Sequence, residues 1–316
     1  MSEKLEKSEI SIENKFDYEN LVLEGGGIKG LAYCGALIAL EKKNILEKIK
    51  RFAGSSAGAI TATLIAIGYN TDEISNITKN TDFKSFLDDK TGLIRDLYNF
   101  FTKYGICQGD TFSNLMKALI KNKTGNEKYT FNNLYTDTGK ELVITGTNLT
   151  NMTTIYYSRE KYPDMAIYKA VRISMSIPFL FVPILHDNKY MVDGGVIDNY
   201  PIHVFDGEYP GDPNSLMKLT EPNLKTIGLK LMTPNETTNY ELDDTVNNID
   251  SIKKFAMSLA NTLMLSNEQK YINPINWKRT IPIKVPNYPL TKFNLDKNEE
   301  ENLINMGIEA VEKYFK

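Results

Sequence analysis

The stretch KRFAGSSAGAI, Lys50 to Ile60, passes from a short strand pattern through a glycine-flanked turn into small and apolar residues that run on to Gly68. A helix apolar on most of its faces is a buried one, and alanine and glycine let it lie close against a sheet. One step upstream, YENLVLEGGGIKG (18–30) repeats the plan: an apolar run, then glycines, then the apolar LAYCGALIALEKK (31–43). Two consecutive strand–turn–helix units predict βαβ geometry. The expected fold is α/β, a central, mostly parallel sheet sandwiched between helices in three layers.

Outward from this core, residues 1–17 read as a polar leader and 18–316 as a single domain. Residues 70–125 have helical spacing. ELVITGTNLT (141–150), TTIYYS (153–158) and KTIGLKLM (225–232) read as strands, MAIYKAVRISMS (165–176) as a helix. ILHDNKYMVDGG (184–195) reads as a hairpin turning at Asp187–Asn188, because Asp and Asn tolerate tight turns. From about residue 250 a helical extension is expected. SIKKFAMSLANTLML (251–265) places Ile252, Phe255, Leu259 and Leu263 on one helix face, and LDKNEEENLINMGIEAVEKYF (295–315) is an amphipathic outer helix. The loop 207–223 is the candidate for an exposed insertion.

With 316 residues, 41% hydrophobic and 24% charged, the chain can build a large core without staples. A net charge of −3 and the lack of any basic block give no support for nucleic-acid binding. The two cysteines, Cys34 and Cys107, lack metal-site spacing and read as reduced thiols, which favours a cytoplasmic location. No EF-hand loop or His/Cys cluster is present, so neither metal nor cofactor is expected. The start of the chain has no apolar signal core, and no run approaches the roughly 18 apolar residues of a spanning helix.

Gly54-Ser55-Ser56-Ala57-Gly58 fits G-x-S-x-G with Ser56 at its centre. In a nucleophile elbow the strand turns sharply into a helix, and the flanking glycines remove side chains that would block neighbouring backbone. The serine then stands at a helix N-terminus, where free N–H groups and the dipole favour an oxyanion. Ser55 would point elsewhere.

The loop Gly25-Gly26-Gly27-Ile28-Lys29-Gly30 has two readings. Gly25, Gly27 and Gly30 match G-x-G-x-x-G, the dinucleotide fingerprint of an oxidoreductase. That fingerprint needs an acidic residue ending the next strand, and Glu47 lies ahead of that strand instead. The alternative is a nest of glycine N–H groups holding a negative oxygen. Lys29 then either adds positive charge suited to a lipid phosphate or to the loop's own electrostatics, or is a solvated lysine on the first helical turn.

Met191-Val192-Asp193-Gly194-Gly195-Val196 supplies an aspartate that leaves a strand into two glycines. There are two histidines, His186 and His203. Ser56, Asp193 and His203 follow the serine–acid–histidine order of a triad, with acid and histidine only ten residues apart. Without histidine, Asp193 itself would have to deprotonate Ser56. Its ordinary pKa near 3.9 makes it a weak base, so strong oxyanion donors would have to carry much of the catalysis.

GGGIKG, GSSAG and DGG in this order resemble the patatin-like phospholipase family, and TFNNLY (130–135) and AVRISMSIPFLFVP (170–183) are similar to its connecting segments. The resemblance covers roughly residues 19–206. It implies a Ser–Asp dyad without histidine: Ser56 as nucleophile, Asp193 as base, and backbone N–H groups of Gly25, Gly26 and Gly27 as oxyanion donors, with Ala57 contributing. Lys29, Gly30, Gly54, Gly58, Gly194 and Gly195 would support the motifs. It further implies metal-independent hydrolysis of glycerophospholipid acyl esters, peripheral contact with membranes, and room for an activating protein partner. A lipid-binding protein without turnover is the competing expectation. A cytoplasmic location is expected, one compatible with non-classical secretion.

Overall fold

The computed structural model describes residues 17–88, 93–206, 222–233, 249–268, 274–289 and 292–316. Most of the expected leader (1–17) and of the expected insertion (207–223) lies outside the described residues.

Asn20–Leu23 (β1) leads through Ala32–Lys42 (α1) to Arg51–Gly54 (β2), and Ser56–Ala66 (α2) follows at once. Thr71–Asn80 (α3), Leu93–Lys103 (α4), Gly105–Cys107 (β3), Asp110–Thr124 (α5) and Phe131–Thr138 (α6) come next. Then come Glu141–Asn148 (β4), Thr153–Tyr157 (β5), Ile167–Ser174 (α7), Phe179–Phe181 (β6), Ile184–His186 (β7) and Lys189–Asp193 (β8). Thr226–Met232 (β9), Ile252–Glu268 (α8), Pro274–Lys278 (α9), Thr280–Lys284 (β10) and Lys297–Tyr314 (α10) complete the described elements.

The main sheet runs β10-β9-β1-β2-β4-β8-β7, with β5 also on β4. The neighbours from β10 to β4 are parallel, while β5, β8 and β7 join antiparallel. Alternation along the strands feeds two apolar clusters. Leu21, Leu23, Phe52 and Ile144 join the large core with α1 and α2, whereas Val22, Ala53 and Val143 meet Tyr200, Ile202 and Phe205. Both faces are therefore covered, the condition under which parallel strands read as continuous apolar runs. The β7–β8 hairpin turns through Asp187 and Asn188, both at positive φ as a two-residue hairpin loop requires.

Register brings two strand ends together. Gly146 of β4 pairs with Ile155 of β5 and with Asp193 of β8, so β5 and β8 lie on opposite edges of β4. Ile144 pairs with Gly54 of β2 and Tyr157 of β5 in the same way. Strands β2 and β8 thus share one edge of β4 and converge on it from opposite directions. The residues just past Gly54 and the residue Asp193 meet there.

Two features depart from the sequence reading, and a third extends it. The region after 250 is not wholly helical, because β10 joins the main sheet beside β9. The segment 70–125 contains β3, which pairs with β6 in a separate two-stranded sheet. Ile252, Phe255, Leu259 and Leu263 do share a face of α8, but that face is exposed, and Ala256, Met257, Ala260 and Met264 pack inward. The amphipathic α10 packs on α1 through Leu303, Ile304 and Val311. Among the described residues no helix is long and apolar enough to cross a membrane.

Candidate active site

Ser56 has φ +50°, a left-handed backbone that a serine adopts only under constraint, while Ser55 before it is extended. A Cβ on Gly54 would come 2.4 Å from the Gly58 carbonyl carbon, and one on Gly58 would come 2.4 Å from Leu23 O. The elbow can therefore press onto the end of β1 only with glycine at both places. The Ser56 N–H donates to Ser174 Oγ at 2.9 Å. Ala57, in the first turn of α2, has no intrahelical acceptor for its N–H.

Asp193 is fully buried. Its Oδ1 accepts from the Gly195 N–H at 2.8 Å, and its own N–H donates to Ser176 O at 2.9 Å. Among the described residues Oδ2 has no hydrogen-bonding partner. Burial pushes the carboxyl up to about 7, against the Gly195 N–H and the nearby Ser56 hydroxyl, which both favour the charged form. The Ser56 hydroxyl itself donates to Met175 Sδ at 3.7 Å. The serine and the carboxylate are thus neighbours, with the hydroxyl turned to the sulfur.

The glycine loop is fixed differently from the sequence reading. The Gly25 N–H donates to Asn199 O at 3.0 Å, so it is taken and cannot serve an oxyanion; of the three glycines, Gly26 and Gly27 keep that capacity. Gly27 opens a 3-10 helix, Gly27–Leu31, whose leading N–H groups have no intrahelical acceptor. Gly30 lies against Ala57, and Gly194 against Thr145. Lys29 is buried at 5% exposure, which removes the solvated-lysine alternative. The Glu24 carboxylate just before the loop pairs with Lys230 Nζ at 2.6 Å and accepts from the Leu231 N–H at 2.8 Å, all buried.

Both histidines have partners other than Ser56 and Asp193. His203 Nε2 lies 3.0 Å from the Tyr156 hydroxyl and 3.5 Å from Asp198 Oδ2. His186 is on the hairpin beside Asp187. Glu47 sits in a 3-10 turn ahead of β2, away from any strand end, so the dinucleotide reading of the glycine loop has no ribose partner there.

Sequence reasoning missed the role of Ser174, Met175 and Ser176 at the end of α7. These three consecutive residues touch both halves of the site: the backbone and hydroxyl of Ser56, and the backbone of Asp193. The buried Arg172 ties this segment down, donating to Ser176 Oγ at 2.5 Å and to Gln108 O at 2.6 Å. Burial lowers its guanidinium only to about 10, so it stays charged at neutral pH. Asn199 was also missed. The signal available was proximity in sequence to the DGG turn, which does not by itself indicate a contact with residue 25.

A narrow apolar cavity opens beside Ser56. Its lining includes Gly27, Ala57, Met175, Phe112 of α5 and, along α2, Ile60 and Leu64. Ala57, Ile60 and Leu64 lie on one helical stripe. At about 1.5 Å per residue the cavity follows α2 for roughly 10 Å away from the nucleophile position.

The sequence model of the patatin-like phospholipase family matches residues 21–206. The chain is 33% identical over 300 residues to uncharacterized protein R571 of Acanthamoeba polyphaga mimivirus, covering 93% of each. It is 33% identical over 200 residues to a probable lipid hydrolase, 463L, of Invertebrate iridescent virus 6, covering 62% of this chain and 65% of that one. VipD from Legionella pneumophila superposes with TM-score 0.66 at 17% identity over 94% of this chain. ExoU, in its complex with SpcU from Pseudomonas aeruginosa, does so with TM-score 0.56 at 20% identity over 95%. The chain spans 66% and 51% of those two structures, and at such identity they speak for the fold. The match over 21–206, which takes in the glycine loop, the elbow and the DGG turn, makes this chain a member of the patatin-like phospholipase family.

Proposed function

We propose that the chain is a phospholipase A-type acyl hydrolase working through a Ser56–Asp193 dyad. The observation that carries this reading is the buried Asp193 carboxyl beside the Ser56 hydroxyl, raised to about 7, whose Oδ2 has no hydrogen-bonding partner among the described residues. A carboxylate of that basicity is matched to proton transfer near neutral pH, which an ordinary aspartate is not. In the reaction the Ser56 hydroxyl turns from Met175 toward Asp193 Oδ2. Its oxygen bonds the ester carbonyl carbon while its proton passes to Asp193. The carbonyl oxygen becomes an oxyanion facing the N–H groups of Gly26, Gly27 and Ala57. Collapse breaks the ester C–O bond, and the leaving alcohol or lysophospholipid takes the proton from Asp193, leaving an acyl-serine. Water then attacks, giving a proton to Asp193 that returns to Ser56 Oγ as the fatty acid departs. The scheme calls on no metal.

The apolar cavity along α2 suits the acyl chain. Membrane phospholipid is the substrate class this supports, with the protein peripheral to the bilayer, and the neighbour's complex with SpcU motivates looking for an activating partner. The test is fatty-acid release from phosphatidylcholine and phosphatidylglycerol vesicles, read by mass spectrometry. We expect release by the wild type, abolished in Ser56→Ala and Asp193→Asn and insensitive to chelator. Release that survives Ser56→Ala would refute the reading.

A further inference from the structure

We propose that Asn199 is the positioning residue that locks the oxyanion loop to the catalytic aspartate turn across the end of the nucleophile's strand. The proposal rests on the reading of Ser56 as nucleophile and adds a residue to that site. Strand β2 lies between β1, which ends in the glycine loop, and β4, while β8, which leads into the DGG turn, meets β2's end along the shared edge of β4. The oxyanion loop and the aspartate therefore have no direct strand pairing. Asn199 supplies the missing link. The Gly25 N–H donates to its carbonyl at 3.0 Å, and its Nδ2 donates back to Gly25 O at 3.0 Å, across 174 residues of sequence.

Its Oδ1 occupies the space between the two loops. A Cβ on Gly25 would meet that oxygen at 2.3 Å, and one on Gly195 at 2.6 Å. The first of these would also come 3.1 Å from Ser56 Cβ, so the bridge runs past the nucleophile itself. Asn199 is 2% exposed and is anchored below by the 3-10 turn after Asp193, where the Asp198 N–H donates to Gly194 O at 2.8 Å. Oxyanion donors accelerate a reaction only when held in place before charge develops. With Gly25 pinned at both backbone groups, the next two amides, Gly26 and Gly27, are set relative to Ser56. Displacement of such donors by about 1 Å can cost about 10²-fold in rate.

Two readouts test this in Asn199→Ala and in the isosteric Asn199→Asp, which keeps the shape and loses the Nδ2 donor. The first is hydrogen–deuterium exchange over residues 24–31. We expect at least tenfold faster exchange there, with α1 and β9 as protected as in the wild type. The second is turnover of p-nitrophenyl butyrate together with inhibition by an alkyl trifluoromethyl ketone. We expect kcat to fall about 10²-fold and inhibitor affinity to fall in parallel, with KM within about twofold. Unchanged exchange in a folded variant overturns the proposal, as does a kcat loss that merely tracks a lower melting temperature. If the alanine variant does not fold, the aspartate variant decides by the same criteria. A wild type inert on every ester would sink the hydrolase reading alone, because the exchange experiment still judges the bridge.

Discussion

Ser56 holds its left-handed backbone at a cost of order 1–3 kcal/mol, the kind of strain that persists only where surrounding contacts over-determine it. Asp193 stores a second cost. Its carboxyl titrates near 7 in the folded protein against about 3.8 ordinarily, so between those values the folded state binds a proton that the unfolded chain does not. Stability from this group is full below pH 3.8 and is lost as pH rises through 7. Asp193→Asn is therefore expected to raise the melting temperature at pH 8 and leave it nearly unchanged at pH 4. The opposite sign holds for activity: the wild-type rate should rise as pH passes through about 7, because the base must be ionised. A pH–rate profile flat from 5 to 8, or an Asp193→Asn variant less stable at pH 8, would contradict this electrostatic picture. Ser56 and Asp193 were legible as candidates because glycines at fixed offsets mark their turns. Ser174 and Asn199 were not, since a serine ending a helix and an asparagine after an aspartate are ordinary local chemistry until partners 118 and 174 residues away are known.

Helix α2 is the element on which the site is built, and Gly58 sets how closely it approaches β1. Gly58→Ala would drive a methyl into Leu23 O and Glu24 O, backbone atoms that cannot turn aside. A loss of about 1–3 kcal/mol is expected, with reduced activity, checked by urea denaturation and ester turnover. The edge-to-face pair Phe86–Phe112 forms part of the cavity wall, with ring centroids 5.3 Å apart. Phe112→Leu should enlarge the cavity, and each added buried methylene is worth about 0.8 kcal/mol, roughly fourfold. The ratio of kcat/KM for p-nitrophenyl palmitate over butyrate should rise; an unchanged ratio would place the acyl chain elsewhere. Helices and long strands were readable from apolar period. The three-residue strands β3 and β6 were not, being too short to show any period. The outward face of α8 was unreadable for another reason: periodicity groups residues on a face without saying which face meets the core.

At the scale of the whole molecule, the family match ends at residue 206, yet the sheet does not. Strand β9 lies directly beside β1 and carries Lys230, which neutralises Glu24 at the mouth of the glycine loop. Arg279, just before β10, grips the Asp206 carboxylate with both ends of its guanidinium, at 2.5 and 2.6 Å. Strands β9 and β10 and Arg279, all beyond the span of the family match, thus complete the core and brace the site. Lys230→Met would strand a buried carboxylate, a loss of about 3–5 kcal/mol. Glu24→Gln combined with Lys230→Met should recover much of it, measured by thermal denaturation of both variants. Additive losses in the double variant would mean that the pair contributes no coupling.

The most direct test of the Ser56–Asp193 dyad is mass-spectrometric mapping of the adduct formed with a lipid-like alkyl fluorophosphonate. We expect a single adduct on Ser56, absent in Ser56→Ala, strongly slowed in Asp193→Asn and formed at the wild-type rate in His203→Ala. An adduct on another serine, or one that disappears with His203, would contradict the dyad.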